Sequence, residues 1–192
     1  NLAGVVRAEG ETFRWAGKYD GAMESVETLA TEVNVLGDFK PILPEVWDNP
    51  QVLFCASTHP ASQLAVLDQC PGAQLTVLDT FMLWIETEFE TLSEAMRKVD
   101  VVVINEQEVC SIAGDEILPR AMKSIISGEA LHGGLGAGPG PRCLIAKRGS
   151  AGVLAMLPFG TLAMPAYPTS EIIDPTGCGD SFAGSFLAYL AG

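Results

Sequence analysis

The chain has 192 residues, of which 48% are hydrophobic and 18% are charged, so it carries enough apolar material for the core of one folded domain. Its 24 acidic and 11 basic residues give a formal net charge of −13, which disfavours nucleic acid and anionic membrane surfaces as partners. The apolar runs are far shorter than the roughly 20 residues that a membrane-spanning helix needs, so we expect a soluble protein with no membrane partner.

Residues 1–50 are predicted to form an exposed β hairpin or flap and its connection to a core domain. Residues 12–16 alternate polar and apolar side chains between two glycines, a pattern typical of an exposed hairpin. A helical stretch is predicted near residues 23–32. Three prolines between residues 41 and 50 then mark the connection to the core.

Residues 51–192 are predicted to form an α/β core, because short β-rich runs alternate there with helical patterns, as in βαβ units with a parallel sheet. Strands are predicted at residues 51–55, 75–78, 101–104, 144–146 and 153–156. Helices are predicted at residues 60–69, 86–98, 106–113 and 118–126, and a last helix is predicted to begin near Asp180. The glycines of residues 128–141 do not fit the G-x-G-x-x-G fingerprint of dinucleotide sites, so a flexible surface loop is predicted there.

The cysteines are odd in number and well separated, and none forms a Cys-x-x-Cys pair; they are Cys55, Cys70, Cys110, Cys143 and Cys178. This pattern favours neither a disulfide framework nor a zinc site. Small reduced thiols are typical of a cytoplasmic protein, and we expect that location. The first residues contain neither an initiating Met nor an export signal, so we expect the chain to be a fragment.

Polar side chains follow three of the predicted strands directly. They are Asp79 and Thr80 after the second strand, Asn105, Glu106 and Glu108 after the third, and Lys147, Arg148 and Gly149 after the fourth. Ligands of open parallel sheets bind beyond the carboxyl ends of the strands. We therefore expect all three sets to share one rim of the sheet, although each alone fits a helix cap or a turn.

A glycine loop leads into the last helix at residues 172–182. Gly177 and Gly179 allow a tight turn and a close approach of the backbone to a ligand, and amides at a helix start attract an anion such as a phosphoryl group in transfer. Asp180 then has two interpretations. It accepts the proton of a hydroxyl that attacks the phosphoryl group, or it is an ordinary carboxylate of a first helical turn.

These residues resemble a known family. The run Asp174-Pro175-Thr176-Gly177-Cys178-Gly179-Asp180-Ser181-Phe182 is similar to the D-x-T-G-A-G-D-x-F signature of the ribokinase-like family, the PfkB carbohydrate kinases. Asn105 to Glu108 match its N-x-x-E motif, and Lys147-Arg148-Gly149 followed by Gly152 resembles its strand-turn segment near the nucleotide. The resemblance implies a three-layer α/β/α fold with a mostly parallel sheet and a small β lid.

The resemblance also implies a role for each matched position. Asp180 would be the catalytic base, and the amides of Gly177, Cys178 and Gly179 would form an anion hole. Lys147, Gly149 and Thr176 would bind ATP. Asn105 and Glu108 would organise magnesium through water, and Asp174 would belong to a site for a monovalent cation such as potassium.

The function implied is transfer of the ATP γ-phosphate to a hydroxyl of a sugar or nucleoside, by an enzyme that forms a homodimer through the lid. Family members are considerably longer, so the chain is expected to lack their N-terminal part and C-terminal end. The alternative is a noncatalytic ligand-binding or regulatory module that keeps the kinase architecture. A dinucleotide oxidoreductase is a third class, and it has only the α/β pattern and the glycine loop in its favour.

Overall fold

The computed structural model describes residues 4–20 and 26–192, and its central feature is a six-stranded sheet. Its strands follow one another in chain order: β3 (Val52–Cys55), β4 (Leu75–Leu78), β5 (Val101–Asn105), β6 (Cys143–Lys147), β7 (Val153–Leu157) and β8 (Gly160–Met164). The first three pairings are parallel and the last two are antiparallel. The predicted strands are therefore all present, whereas β8 was not predicted because its five residues are exposed and give no burial pattern.

A separate two-stranded antiparallel sheet forms the lid, with β1 (Arg14–Tyr19) paired to β2 (Val26–Glu32). The helical prediction near residues 23–32 is wrong for residues 26–32, and residues 23–25 lie outside the described residues. Residues 26–32 form strand β2 rather than a helix, and contacts with β1, which is remote in sequence, stabilise this strand. The Trp15 indole N–H donates to Thr28 Oγ1 at 3.3 Å, and Arg14 pairs with Glu32 at 3.3 Å.

Six α-helices accompany the core sheet within the described residues. They are α1 (Pro60–Gln69), α2 (Met82–Thr87), α3 (Phe89–Lys98), α4 (Glu106–Ala113), α5 (Leu118–Ser127) and α6 (Cys178–Ala191). The helix predicted at 86–98 is divided, because Glu88 leaves the helical conformation at φ −130° and ψ 31°. In the part of the chain that the structure describes, none of these helices combines the length and the apolar character needed to cross a membrane.

The core lies on both faces of the sheet, as the alternation along β5 shows. Val102 and Ile104 are fully buried in a cluster with residues of α1 to α5. Val101 and Val103 point the other way and pack with Ala183 and other residues of α6. Strands of a parallel sheet are apolar on both faces for this reason. The result is the three-layer α/β/α arrangement, with the small antiparallel sheet beside it.

Two side chains of α3 hold the glycine-rich stretch 128–141: Ser93 Oγ accepts from the His132 amide at 3.0 Å, and Arg97 makes the larger set of contacts. The Arg97 guanidinium donates to the carbonyl oxygens of Gly128 at 3.3 Å, Gly134 at 3.1 Å and Gly138 at 3.3 Å. Gly128 has φ +85°, and a Cβ there would lie 2.1 Å from the Gly138 carbonyl oxygen, so the two ends of the stretch meet in direct backbone contact. The loop predicted here therefore has a defined anchor in the helical layer.

Replacing that anchor should destabilise the protein. We expect Arg97→Ala to lower the free energy of unfolding by about 2 kcal/mol, because three carbonyl groups lose a charged donor. Hydrogen exchange of the amides of residues 128–138 should accelerate in the same variant. Urea unfolding measures the first effect, and Lys123→Ala, at an exposed position of α5, should stay within about 0.5 kcal/mol of the parent. Equal values for the two variants would show that Arg97 does not anchor the loop.

Candidate active site

The carboxyl ends of β4, β5 and β6 bring the three predicted polar sets to one rim. Lys147 Nζ lies 3.0 Å from Asp79 Oδ2, and Arg148 Nε donates to Glu106 Oε2 at 3.1 Å. Since β4 and β6 are separated by β5, the pair of Lys147 and Asp79 reaches across the end of the central strand. The prediction that these sets share a rim is confirmed.

Asp79 is a buried carboxylate with fixed surroundings. Its side chain is 7% exposed, and its Oδ1 atom accepts a hydrogen bond from the Thr80 amide at 2.8 Å. Burial raises the pKa of Asp79, and the nearby Lys147 ammonium acts in the opposite direction. The negative charge of Asp180 contributes to the raised pKa as well, which places the two carboxylates in the same electrostatic neighbourhood.

Asn105 and Glu108 form a capping box at the start of α4. Asn105 Oδ1 accepts from the Glu108 amide, and Glu108 Oε2 accepts from the Asn105 amide, both at 2.8 Å. Glu108 is 6% exposed, and its burial raises the pKa of the carboxyl group to about 7. The hydrogen bond from the Asn105 amide acts in the opposite direction and lowers this pKa. Both residues therefore have a structural role at the rim, where Asp79 and Lys147 also influence the pKa of Glu108.

The signature loop, residues 174–179, bends into α6 through a turn at Gly177, whose φ is +79°. Asp174 Oδ1 accepts from the Thr176 amide at 2.9 Å, and hydrogen bonds with Thr176 lower the pKa of Asp174. The Cys178 amide donates to the Pro175 carbonyl at 3.1 Å, so this member of the predicted anion hole is engaged within the loop. The hydrogen bonds of the described residues leave the amides of Gly177 and Gly179 without a protein acceptor.

The loop faces the rim, because Gly179 lies against Lys147. A Cβ atom at Gly179 would come within 3.1 Å of Lys147 Nζ. Asp180 follows in the first turn of α6 and is exposed to solvent. The structure therefore brings together the signature loop, Lys147, Asp79 and Asp180, as expected of parts of one site.

The two predicted glycines of the strand-turn segment have different surroundings. Gly149 has φ +54° and is exposed, and a Cβ there would meet no atom within 4 Å. Gly152 has φ +88°, and a Cβ there would lie 2.0 Å from the Met164 carbonyl oxygen at the end of β8. Gly152 is thus required for packing against β8, whereas Gly149 leaves open space at the rim.

The lid contacts the site through one residue that the sequence did not single out. Tyr19 Oη and Thr176 Oγ1 are 3.2 Å apart, which links the end of β1 to the signature loop across 157 residues of sequence. The pairing of Asp79 with Lys147 was likewise not predicted, although both positions were. Among the described residues, no group of three or more His, Cys, Asp or Glu side chains is arranged to hold a metal ion.

Known proteins share this architecture. The sequence model of the pfkB family carbohydrate kinases matches residues 23–192. A cytidine kinase of Thermococcus kodakarensis is 32% identical over 152 residues, which cover 76% of this chain and 50% of the relative. The chain thus spans about half the length of the curated relative it matches.

Solved structures also resemble this one. The adenosine kinase of Sinorhizobium meliloti has a TM-score of 0.74 at 15% identity, over 94% of this chain and 55% of that one. The ribokinase of Arabidopsis thaliana, solved with ribose and ATP, has a TM-score of 0.64 at 15% identity, over 87% of this chain and 52% of that one.

The conformation of Gly177 can be tested against a glycine inside α6, the helix that follows it. We expect Gly177→Ala to lower the free energy of unfolding by about 1 kcal/mol, because φ +79° disfavours a side chain even where space is open. Gly184→Ala lies inside α6, also in open space, and should raise stability by up to about 1 kcal/mol through helix propensity. Thermal unfolding of both variants measures the difference, and effects of the same sign would contradict the turn described here.

The raised pKa of Glu108 predicts a particular pH dependence of stability. The folded protein holds a proton on Glu108 up to about pH 7, whereas the unfolded chain releases it near the ordinary value of 4.5. The corresponding stability is fully present below pH 4.5 and is lost as the pH rises through 7. Glu108→Gln carries no such proton, so its stability relative to the parent should rise between pH 5 and 8, on the order of 2 kcal/mol.

Urea unfolding in EDTA at several pH values measures this difference. Glu116→Gln removes an exposed carboxylate from the segment that follows α4 and should give a profile parallel to that of the parent. A parallel profile for Glu108→Gln as well would show that Glu108 is not protonated by burial.

Proposed function

Because the chain belongs to the pfkB family of carbohydrate kinases, we propose that the whole protein transfers the γ-phosphoryl group of ATP to a hydroxyl of a sugar or nucleoside. One observation carries this proposal. The amides of Gly177 and Gly179, the Lys147 ammonium and the Asp180 carboxylate lie together at the carboxyl end of the sheet. Donors for an anion and a proton acceptor are what phosphoryl transfer requires of a protein.

Asp180 is proposed as the general base. It is exposed in the first turn of α6, so an acceptor hydroxyl can reach it. The hydroxyl oxygen forms a bond to the γ-phosphorus, the bond to the bridging oxygen breaks, and ADP leaves with that electron pair. Asp180 takes the hydroxyl proton. The Arabidopsis ribokinase structure contains ribose and ATP, and the Thermococcus relative is a cytidine kinase, which supports an acceptor that contains a sugar.

The signature loop is proposed as the anion hole. The amides of Gly177 and Gly179 would donate to the phosphoryl oxygens, and the α6 dipole would add attraction for negative charge. Cys178 was proposed as a third donor. The Cys178 amide already donates to the Pro175 carbonyl. It can donate to the phosphoryl group only if that hydrogen bond is exchanged.

The nucleotide is proposed to bind along Lys147, Gly149 and Thr176. Lys147 supplies the positive charge, Gly149 leaves room at the rim, and the Thr176 hydroxyl is exposed beside the loop. The lid lies over the same place, because Tyr19 contacts Thr176. An acceptor bound between the lid and the signature loop would therefore be close to Asp180.

Asn105 and Glu108 fit magnesium through water rather than directly. The atoms Asn105 Oδ1 and Glu108 Oε2 already accept hydrogen bonds of the capping box, but each oxygen keeps a second lone pair for a water molecule. Magnesium, when bound with the nucleotide, supplies positive charge that offsets the phosphate oxygens. Asp174 fits a monovalent cation such as potassium, because it is exposed and its lowered pKa keeps it ionised.

Two further proposals concern the state of the protein. A homodimer through the lid is supported by exposed apolar side chains on β2, namely Val26 and Leu29. A cytoplasmic location is supported by the five cysteines, all of which are free thiols in the structure.

The proposal predicts the effect of one substitution. Asp180→Asn in the complete gene product should lower kcat by at least about 1,000-fold, because the amide cannot accept the hydroxyl proton. Binding of ATP, measured by calorimetry, should change by less than about 3-fold. Release of ADP against a panel of pentoses, hexoses and nucleosides is the assay.

Asp68→Asn provides the matched control, since it neutralises an exposed carboxylate of α1 that pairs with Lys98. Its kcat should equal that of the parent. Retained turnover in Asp180→Asn would refute the role of Asp180. ATP binding without turnover in the parent itself would favour a noncatalytic binding module.

A further inference from the structure

We propose that Asp79 is a positioning residue for the proposed phosphoryl transfer: it holds the Lys147 ammonium against the signature loop, where Lys147 contacts the phosphoryl group as it is transferred. This inference rests on the proposed function. It adds a residue to the site and assigns Lys147 to the migrating group rather than to the rest of the nucleotide.

The ion pair is largely shielded from solvent, with a buried Asp79 and a partly buried Lys147, and this shielding makes a purely stabilising role a poor explanation. The side chains of Lys147 and Asp79 are 19% and 7% exposed, and their charged atoms are 3.0 Å apart. Removing two charges from water offsets most of their attraction, so such pairs add little net stability compared with apolar residues. A shielded pair at the mouth of a candidate active site is better explained by what the charges do there.

Asp79 is fixed by contacts on every side of its backbone and carboxylate. Its amide donates to the Cys55 carbonyl at 3.0 Å, its own carbonyl accepts from Gln63 Nε2 at 2.9 Å, and its Oδ1 accepts from the Thr80 amide at 2.8 Å. The remaining oxygen, Oδ2, faces Lys147. Lysine has a flexible stem of four carbons, so this rigid carboxylate determines where the ammonium lies.

Gly179 lies next to the Lys147 ammonium on the side of the signature loop. A Cβ atom there would lie 3.1 Å from Lys147 Nζ, closer than a side chain tolerates without displacement. Gly179 does not have the positive φ of Gly177, so the turn itself does not require glycine at this position. The absence of a side chain therefore has a specific consequence: it lets the ammonium approach the backbone of the signature loop.

Charge explains why the ammonium is needed at this place. Two carboxyl groups lie near the ammonium: Asp79 is paired with it at 3.0 Å, and the negative charge of Asp180 acts on Asp79. Carboxylates repel a triphosphate. Lys147 has three N–H donors, and within residues 4–20 and 26–192 its ammonium makes one hydrogen bond, to Asp79, which leaves its other donors for phosphoryl oxygens.

A double-mutant cycle in the complete gene product tests the inference, with kcat and the KM for ATP as readouts. We expect Lys147→Met to lower kcat by about 100-fold or more, and Asp79→Asn to lower it by about 10-fold or more, each with less than about 5-fold change in KM. The double variant should have the kcat of Lys147→Met within about 3-fold, because Asp79 acts only through Lys147. Asp115→Asn, which breaks the ion pair with Arg120 on the surface, is the control and should keep the kcat of the parent.

Gly179→Ala provides a second test that keeps both charges, in case Asp79→Asn does not fold. Its methyl group should displace the ammonium by a few tenths of an ångström and lower kcat by about 10-fold or more. Multiplicative losses in the cycle, losses confined to KM, or a parental kcat in Gly179→Ala would each overturn the inference and leave the proposed function intact. A parent protein that transfers no phosphoryl group to any acceptor would overturn both.

Discussion

The ion pair between Lys147 and Asp79 is the interaction on which the site depends. It joins the ends of β4 and β6 across the end of β5, so three strands meet at one charged point. Asn105 ends β5 and starts α4 through the capping box with Glu108, which fixes the backbone under this point. The parallel arrangement of β4, β5 and β6 brings these residues together, because the carboxyl ends of parallel strands lie at the same rim of the sheet.

The site combines attraction and repulsion for an anion at short range. The amides of Gly177 and Gly179 and the Lys147 ammonium attract negative charge, whereas Asp79 and Asp180 repel it. Such a balance would suit the proposed transfer, because a phosphoryl group that is held by donors on all sides would also be hard to release. A substrate that brings its own cations with its phosphates changes the balance in favour of binding.

Local signals explain which elements could be predicted from the sequence. Helix α1 matches its prediction because Pro60 occupies its first position, and α4 matches because its capping box is encoded within four residues. The strand at residues 26–32 mixes alanine, leucine and glutamates, which favour helices, with the strand-favouring Val26, Thr28 and Thr31, and its pairing with β1 decides in favour of a strand. Sequence spacing could place Asp79 and Lys147 on one rim but could not pair them, since 68 residues separate them.

The signature loop has much of its shape before any ligand binds. The left-handed conformation of Gly177, the bond from the Thr176 amide to Asp174 and the bond from the Cys178 amide to Pro175 together define the turn. Among the described residues, the amides of Gly177 and Gly179 then remain without an acceptor, and under the proposed function they would meet an anion without reorganisation of the backbone, the condition under which backbone donors lower a barrier most effectively. The bond from the Cys178 amide to the Pro175 carbonyl thus uses one of the three candidate donors to close the turn.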